Sequence, residues 1–337
     1  MALTLPRPSR AVLLSGRRAW LGIGLAVALL LAGCGGHSAA PVREQQTVTA
    51  KAEAAAPPVA VMAPAFVLGE VQEPHNRIGR VRAAGIADAE TVTIDPETPV
   101  IYVGSRSFAT AKATYTNLVY RIHFLAQPYS LIPFHLGAGR HVGLLVILTL
   151  DARQQVLLVT TANTCGCYAA SIPTATLPAS AYPAGWQAAP LAVFGERLPA
   201  RLPPIGANDV LQVFVRPDVH RVMDLRVVPR SSLAAGMVRA EVLDLEALKK
   251  IPMENGNVTS LYYRGWPLAG HVKGAIKPWE TLLLSLVSLD LFVGMDKEYG
   301  DTRESGTPFY TSLKPWNRHA SDMNDFVVYL RFNGWHL

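Results

Sequence analysis

Two apolar runs separated by four polar residues constrain the fold of this chain most tightly. Residues 142–150, VGLLVILTL, and 155–162, QVLLVTTA, flank Asp151-Ala152-Arg153-Gln154. Each run is apolar at odd and even positions alike, so a strand built from it has no face for water. The polar break predicts a buried antiparallel hairpin with a short loop. Such a hairpin needs cover on both sides. The composition can supply it, because half of the residues are hydrophobic.

Further strands are predicted around the hairpin. Residues 99–104, PVIYVG, and 113–124, ATYTNLVYRIHF, are joined by a polar turn-like stretch. In the second, Leu118, Tyr120, Ile122 and Phe124 alternate with Val119, Arg121 and His123, the period-2 pattern of a half-buried strand. Residues 210–228 predict two more strands around Arg216-Pro217-Asp218. The later part turns helical. Pro278 suits the first position of a helix over 278–293, whose narrow polar stripe of Thr281, Ser285 and Ser288 predicts a mostly buried element. A last helix is predicted over 321–332, with Ser321 as N-cap, core positions Met323, Phe326, Val327 and Leu330, and Asn333-Gly334 as its stop. The fold class expected is α+β, with antiparallel hairpins in a β-rich first half and helices in the C-terminal part.

At the exit of the hairpin the chain reads TANTCGCY, with Cys165 and Cys167 separated by one glycine. With a loop of 151–154, pairing places His141 opposite Thr164 and Arg140 opposite Cys165. A shift of one residue places His141 opposite Cys165. Either cation-capable side chain would favour the thiolate. Three readings stay open at this point. The pair forms a strained, easily reduced disulfide, structural or redox-active. Alternatively Cys165 and Cys167 join His123, His135 or His141 around zinc or copper, which suit thiolate and imidazole ligands. Or both cysteines are small buried residues with no chemistry.

Other signals are weaker. His220, Asp224, His271 and Lys273 form an acid–base group only if the fold brings them together. Residues 296–301, DKEYGD, and the TRESGTP after them read as an exposed loop. Nucleotide-loop, nucleophile-elbow and zinc-protease motifs are not found in the sequence, and no catalytic residue is named by it.

The N-terminus bears on location. Arg7, Arg10, Arg17 and Arg18 precede an apolar run from Ala19 to Gly33, and the run ends in Leu31-Ala32-Gly33-Cys34. This resembles the lipobox of bacterial lipoproteins. The resemblance covers residues 1–34. It implies cleavage before Cys34, diacylglycerol on the Cys34 sulfur and a fatty acyl chain such as palmitate on the new amine. Gly35 in place of Asp implies, by the sorting rule of such lipoproteins, the outer membrane and a periplasm-facing domain. Ser15–Leu21 also resembles a twin-arginine export motif.

Four of the 31 basic residues, all arginine, precede Cys34, which leaves 27 against 25 acidic residues. That balance gives no support to nucleic-acid binding. Residues 35–66 are rich in Ala and Pro and lack periodicity. The expected organisation is a signal peptide 1–33, a flexible tether 34–66 and a folded periplasmic domain 67–337, with room for a sub-boundary near 230–250. The functional expectation is a lipid-anchored envelope protein that binds a ligand or supports assembly, with the membrane and an envelope partner as its contacts. The alternative is a thiol-disulfide redox or metal-binding protein centred on Cys165 and Cys167.

Overall fold

The computed structural model describes residues 45–51, 58–85, 90–233, 236–300 and 302–337. The lipobox, with Cys34, lies outside them. Ten strands make one mixed sheet: β1 Gln45–Ala50, β2 Ala65–Gly69, β3 Val100–Ala109, β4 Thr114–His123, β5 Gly143–Leu150, β6 Val156–Asn163, β7 Ala170–Pro173, β8 Asp209–Val215, β9 Val222–Pro229 and β10 Val238–Asp244. Their order across the sheet is β7-β6-β5-β4-β3-β10-β1-β2-β8-β9. Strands β7 to β3 are antiparallel to their neighbours, whereas β10 runs parallel to both β3 and β1, and β2 runs parallel to β8.

The predicted hairpin is β5–β6. Leu144, Val146, Leu148 and Leu150 enter one hydrophobic cluster and Leu145 and Ile147 another, so both faces are covered. The first cluster also takes Val48, Phe66, Leu68, Ile101, Val213 and Leu225 from the far half of the sheet, which curls so that its own inner surface supplies that cover. The C-terminal part covers the other face through Tyr299, Phe309, Met323, Phe326, Tyr329, Leu330 and Trp335. The fold is therefore α+β in the broad sense, with a dominant sheet and a small, mostly C-terminal helical share.

Four expectations change. First, the stretch read as tether contains β1, hydrogen-bonded between β10 and β2 with Val48 in the core. Its short QQTVTA sequence lacks a long apolar run, and its burial comes from its neighbours. Second, β10 spans the expected sub-boundary and sits in mid-sheet. Third, β4 is buried on both faces, and Arg121 and His123 are fully enclosed. Fourth, the helix expected over 278–293 is α1, Pro278–Ser288, which ends five residues early, and the last helix, α2, is Phe326–Phe332 and starts five residues late. Asp325 caps it by accepting from the Val328 amide at 3.3 Å. Ser321 instead ends a 3-10 turn, and Asp322 is occupied by the amides of Phe309 and Asn324 and the Thr302 hydroxyl. Asn333 and Gly334 end α2 as expected, with Gly334 at φ +76°.

Candidate functional site: a dithiol in a buried ionic cluster

The hairpin register decides what faces Cys165. Val156 pairs with Leu150, but Leu158 pairs with Thr149, so a bulge at Leu157 moves every later partner by one. Asn163 then pairs with Leu144, and the Thr164 amide reaches the Gly143 carbonyl at 2.8 Å. Neither Arg140 nor His141 lies opposite Cys165. The strand ends at Asn163, and the two cysteines occupy the turn that follows, closed by Gly166 N to Asn163 O at 2.8 Å and Asn163 N to Cys167 O at 2.9 Å. Gly166 sits at φ +86°, and a Cβ there would lie 1.7 Å from the Tyr310 carbonyl oxygen. Only glycine fits that close approach.

The cation near Cys165 comes from elsewhere. Lys277 immediately precedes α1, Pro278–Ser288, with Pro278 at its first turn as expected. The Lys277 ammonium lies 3.1 Å from Asp296 Oδ2, and both residues are buried. Asp296 Oδ1 accepts from the Thr164 hydroxyl and, at 3.3 Å, from the Gly143 amide. Asp296 is thus tied to the same turn that holds the thiols. Lys297 follows it, with its amide on the Thr164 carbonyl at 2.8 Å. Its ammonium donates to the carbonyls of Met295 and Cys165 at 2.9 and 3.2 Å and stands 4.6 Å from the centre of the Tyr310 ring. Arg121 donates to the Lys297 carbonyl at 2.8 Å and to His123 Nε2 at 2.9 Å.

Residues 296–300 are therefore buried, contrary to the expected exposed loop. Main-chain bonds explain it: the segment is stitched to Thr164 on one side and to Gly270 and Val272 on the other. Its charges are met by fixed partners, including Arg264 and Lys249 on Glu298 at 2.9 and 3.4 Å. A buried charge requires such partners.

Both thiols are free. The Cys167 amide points to Cys165 Sγ at 3.4 Å, and Cys167 Sγ lies 3.6 Å from Glu280 Oε1 on the inner face of α1. Gly294 makes room for that carboxylate, since a Cβ there would lie 2.3 Å from Glu280 Oε2. Burial alone pushes a thiol up. At Cys165 the hydrogen bond from Cys167 and the Lys277 charge overcome it, and this thiol is held below its ordinary value. At Cys167 the hydrogen bond given to Cys165 and burial act together and raise it well above. Lys277 is raised despite burial, because Asp296 and the Cys165 thiolate favour its charge. Burial lowers Lys297.

A cavity of about 160 Å³ adjoins the pair, lined by both cysteines, Glu280, Tyr310 and the apolar Leu136, Phe194, Leu284 and Leu313. The arrangement couples a stabilised thiolate to a neighbouring thiol beside a carboxylate, which is the chemistry of a nucleophile with a resolving partner.

The histidines are not gathered there. His123 is engaged by Arg121, and burial holds its pKa well below the ordinary value. His135 contacts the Pro128 carbonyl at 2.9 Å. His141 packs against Gly274, with its pKa lowered to about 4 by burial. Among the described residues no group of three or more His, Cys, Asp or Glu is placed to hold a metal ion. His220, Asp224, His271 and Lys273 each have separate surroundings: His220 stacks on Phe124 at 4.1 Å, Asp224 meets Arg226, His271 lies 5.7 Å from Phe292 ring to ring, and Lys273 meets Glu90.

No sequence signal pointed to Lys277 or Glu280 as site residues, and Asp296 and Lys297 entered only as part of the expected exposed loop. The one available signal was DKEY following the apolar FVGM, an unusual place for three adjacent charges. Compared with known protein families, curated proteins and solved structures, the chain matches none.

Proposed function

We propose that this chain is a lipid-anchored protein of the cell envelope whose folded domain works through thiol–disulfide exchange at Cys165 and Cys167. The observation that carries the reading is the geometry of the pair: the Cys167 amide lies 3.4 Å from Cys165 Sγ, Cys167 Sγ lies 3.6 Å from Glu280 Oε1, and the buried Cys165 and the partly exposed Cys167 line one cavity. The Cys165 thiolate attacks a sulfur of a partner's disulfide and expels one partner thiolate. The Cys167 thiol then gives up its proton and attacks Cys165, releasing the second partner thiolate. The partner gains two electrons, and the pair becomes a disulfide. Ring strain in a bond between cysteines two apart favours the reverse direction, in which that disulfide is passed to a partner dithiol.

The test is trapping. Cys167→Ser should accumulate a mixed disulfide on Cys165 with glutathione disulfide, and the unsubstituted chain should release it and form an internal bond. No adduct in either protein, with the fold retained, contradicts the reading. The expected outer-membrane location and the Cys34 anchor belong to the same proposal and rest on the lipobox resemblance.

A second reading, a binding or assembly-supporting protein, is favoured by one observation. The exposed side of α1 and the residues after it carry Leu282, Leu286, Val287, Leu289 and Leu291. Replacing both cysteines by serine separates the two readings, since only the first requires sulfur.

A further inference from the structure

The helix α1 is inverted relative to a water-facing helix. The segment 276–293, IKPWETLLLSLVSLDLFV, has three charged residues, and all of them turn inward. Lys277 meets Asp296, Glu280 meets the Cys167 thiol, and Asp290 accepts from the Tyr310 hydroxyl and lies 3.7 Å from Arg318. Ser288 also points in and is fully buried. The outward side presents Leu282, Leu286, Val287, Leu289 and Leu291, each at least 66 % exposed. The mostly buried helix expected from the sequence is therefore not what forms: only Glu280 and Ser288 of α1 are buried, and Leu282 and Leu286 face outward. A ridge of this size on a protein surface marks a contact.

We infer that this ridge rests in a lipid bilayer as a second, non-covalent membrane contact. The inference rests on the lipid-anchor reading for its geometry. Eleven residue steps separate Cys34 from the first strand at Gln45, at most about 40 Å of extended chain. A folded domain of this length is roughly 50 Å across. The anchor therefore keeps the domain against the membrane. The chemistry of the ridge fits the bilayer boundary. Its apolar crest is free of exposed charge, and Trp279 and Trp316 are exposed aromatic residues of the kind that sit at headgroup level. Trp279 belongs to α1 itself, and Lys314-Pro315-Trp316 opens a 3-10 turn whose next residue, Arg318, donates to the Ser288 carbonyl at the end of α1. Leu284 of α1 lines the dithiol cavity, as do the exposed Phe194 and Leu313. Seating the ridge turns that cavity toward the membrane surface, where a membrane-borne thiol or disulfide partner meets it.

The test uses the full chain purified from the envelope, its Cys34 state read by intact mass. It is mixed with phosphatidylethanolamine–phosphatidylglycerol vesicles carrying brominated acyl chains. The emission of Trp279 and Trp316 should be quenched by about twofold, and Trp279→Phe with Trp316→Phe should remove the quenching. Leu282→Glu with Leu286→Glu should also abolish it while leaving the circular dichroism and the alkylation of Cys165 unchanged. A lipid-bearing chain whose tryptophans escape quenching overturns the inference and leaves the anchor intact. Absence of lipid on Cys34 overturns the anchor alone, because the ridge is still tested by the added vesicles. Concentration-dependent self-association that buries α1 and is unaffected by vesicles overturns the inference in favour of a second copy.

Discussion

Lys277 and Asp296 face each other across 3.1 Å inside the protein, one at the entry of α1 and the other in the segment that closes over the thiol turn. The pair joins three pieces of chain, since Asp296 also holds Thr164 and Gly143. Removing one partner leaves the other charge buried and uncompensated. Lys277→Met should destabilise the fold by about 3–5 kcal/mol in denaturant titration. It should also move the Cys165 thiol upward, because the charge that favours the thiolate is gone. A fold that tolerates Lys277→Met with Cys165 unchanged would separate the ion pair from the thiol site.

Acid should weaken the protein through its buried histidines. Burial lowers His220 to about 3, and His141 and His271 to about 4. The unfolded chain binds protons at these sites near the ordinary 6.5, so the folded state holds fewer protons between that value and the lowered ones. Stability is complete above about pH 6.5 and falls as the pH drops toward 3–4. His220→Phe should preserve the stack on Phe124 and flatten that acid slope by about 1.4 kcal/mol per pH unit. An unchanged slope in the variant would show that His220 does not drive the loss.

Two glycines should respond very differently to alanine. Gly166 and Gly185 both have positive φ, at +86° and +72°. A Cβ on Gly166 meets the Tyr310 carbonyl, whereas nothing lies within 4 Å of one on Gly185. Gly185→Ala should cost about 1 kcal/mol, the backbone term alone. Gly166→Ala should cost at least about 3 kcal/mol and displace Tyr310 from the cavity wall. Equal losses in thermal unfolding would contradict the close approach.

The first strand should be indispensable. Val48 is 1 % exposed and lies between β10 and β2. Val48→Asp should cost about 3 kcal/mol or more, as an unpaired buried charge does. A domain that starts at residue 67 should fail to fold cooperatively. Its cooperative folding would restore the tether reading for the whole of 34–66.

Six of the ten strands of the main sheet were legible in the sequence, because apolar runs such as VGLLVILTL must be buried to avoid water. The small helical share was placed correctly at 278 and at Asn333-Gly334, where proline and glycine act locally. What stayed hidden depended on distant partners. The bulge at Leu157 changes what faces Cys165 without any mark in the local pattern. QQTVTA looks like tether until β10 and β2 are beside it. Arg121, His123 and the DKEY segment look solvent-facing because they are polar, and they are buried because ions and main-chain groups from other elements meet them. The cysteines were identifiable as candidates, but their electrostatic partners, Lys277 and Glu280, were not.

Thiol–disulfide exchange at this site depends on the polarisation of the two thiols. Its most direct test is the pH dependence of alkylation of the folded protein, resolved at Cys165 and Cys167 by peptide mass. Cys165 should be modified with a midpoint below the ordinary thiol value, and Cys167 only well above it. Two midpoints at or above the ordinary value, or Cys167 reacting before Cys165, would contradict it.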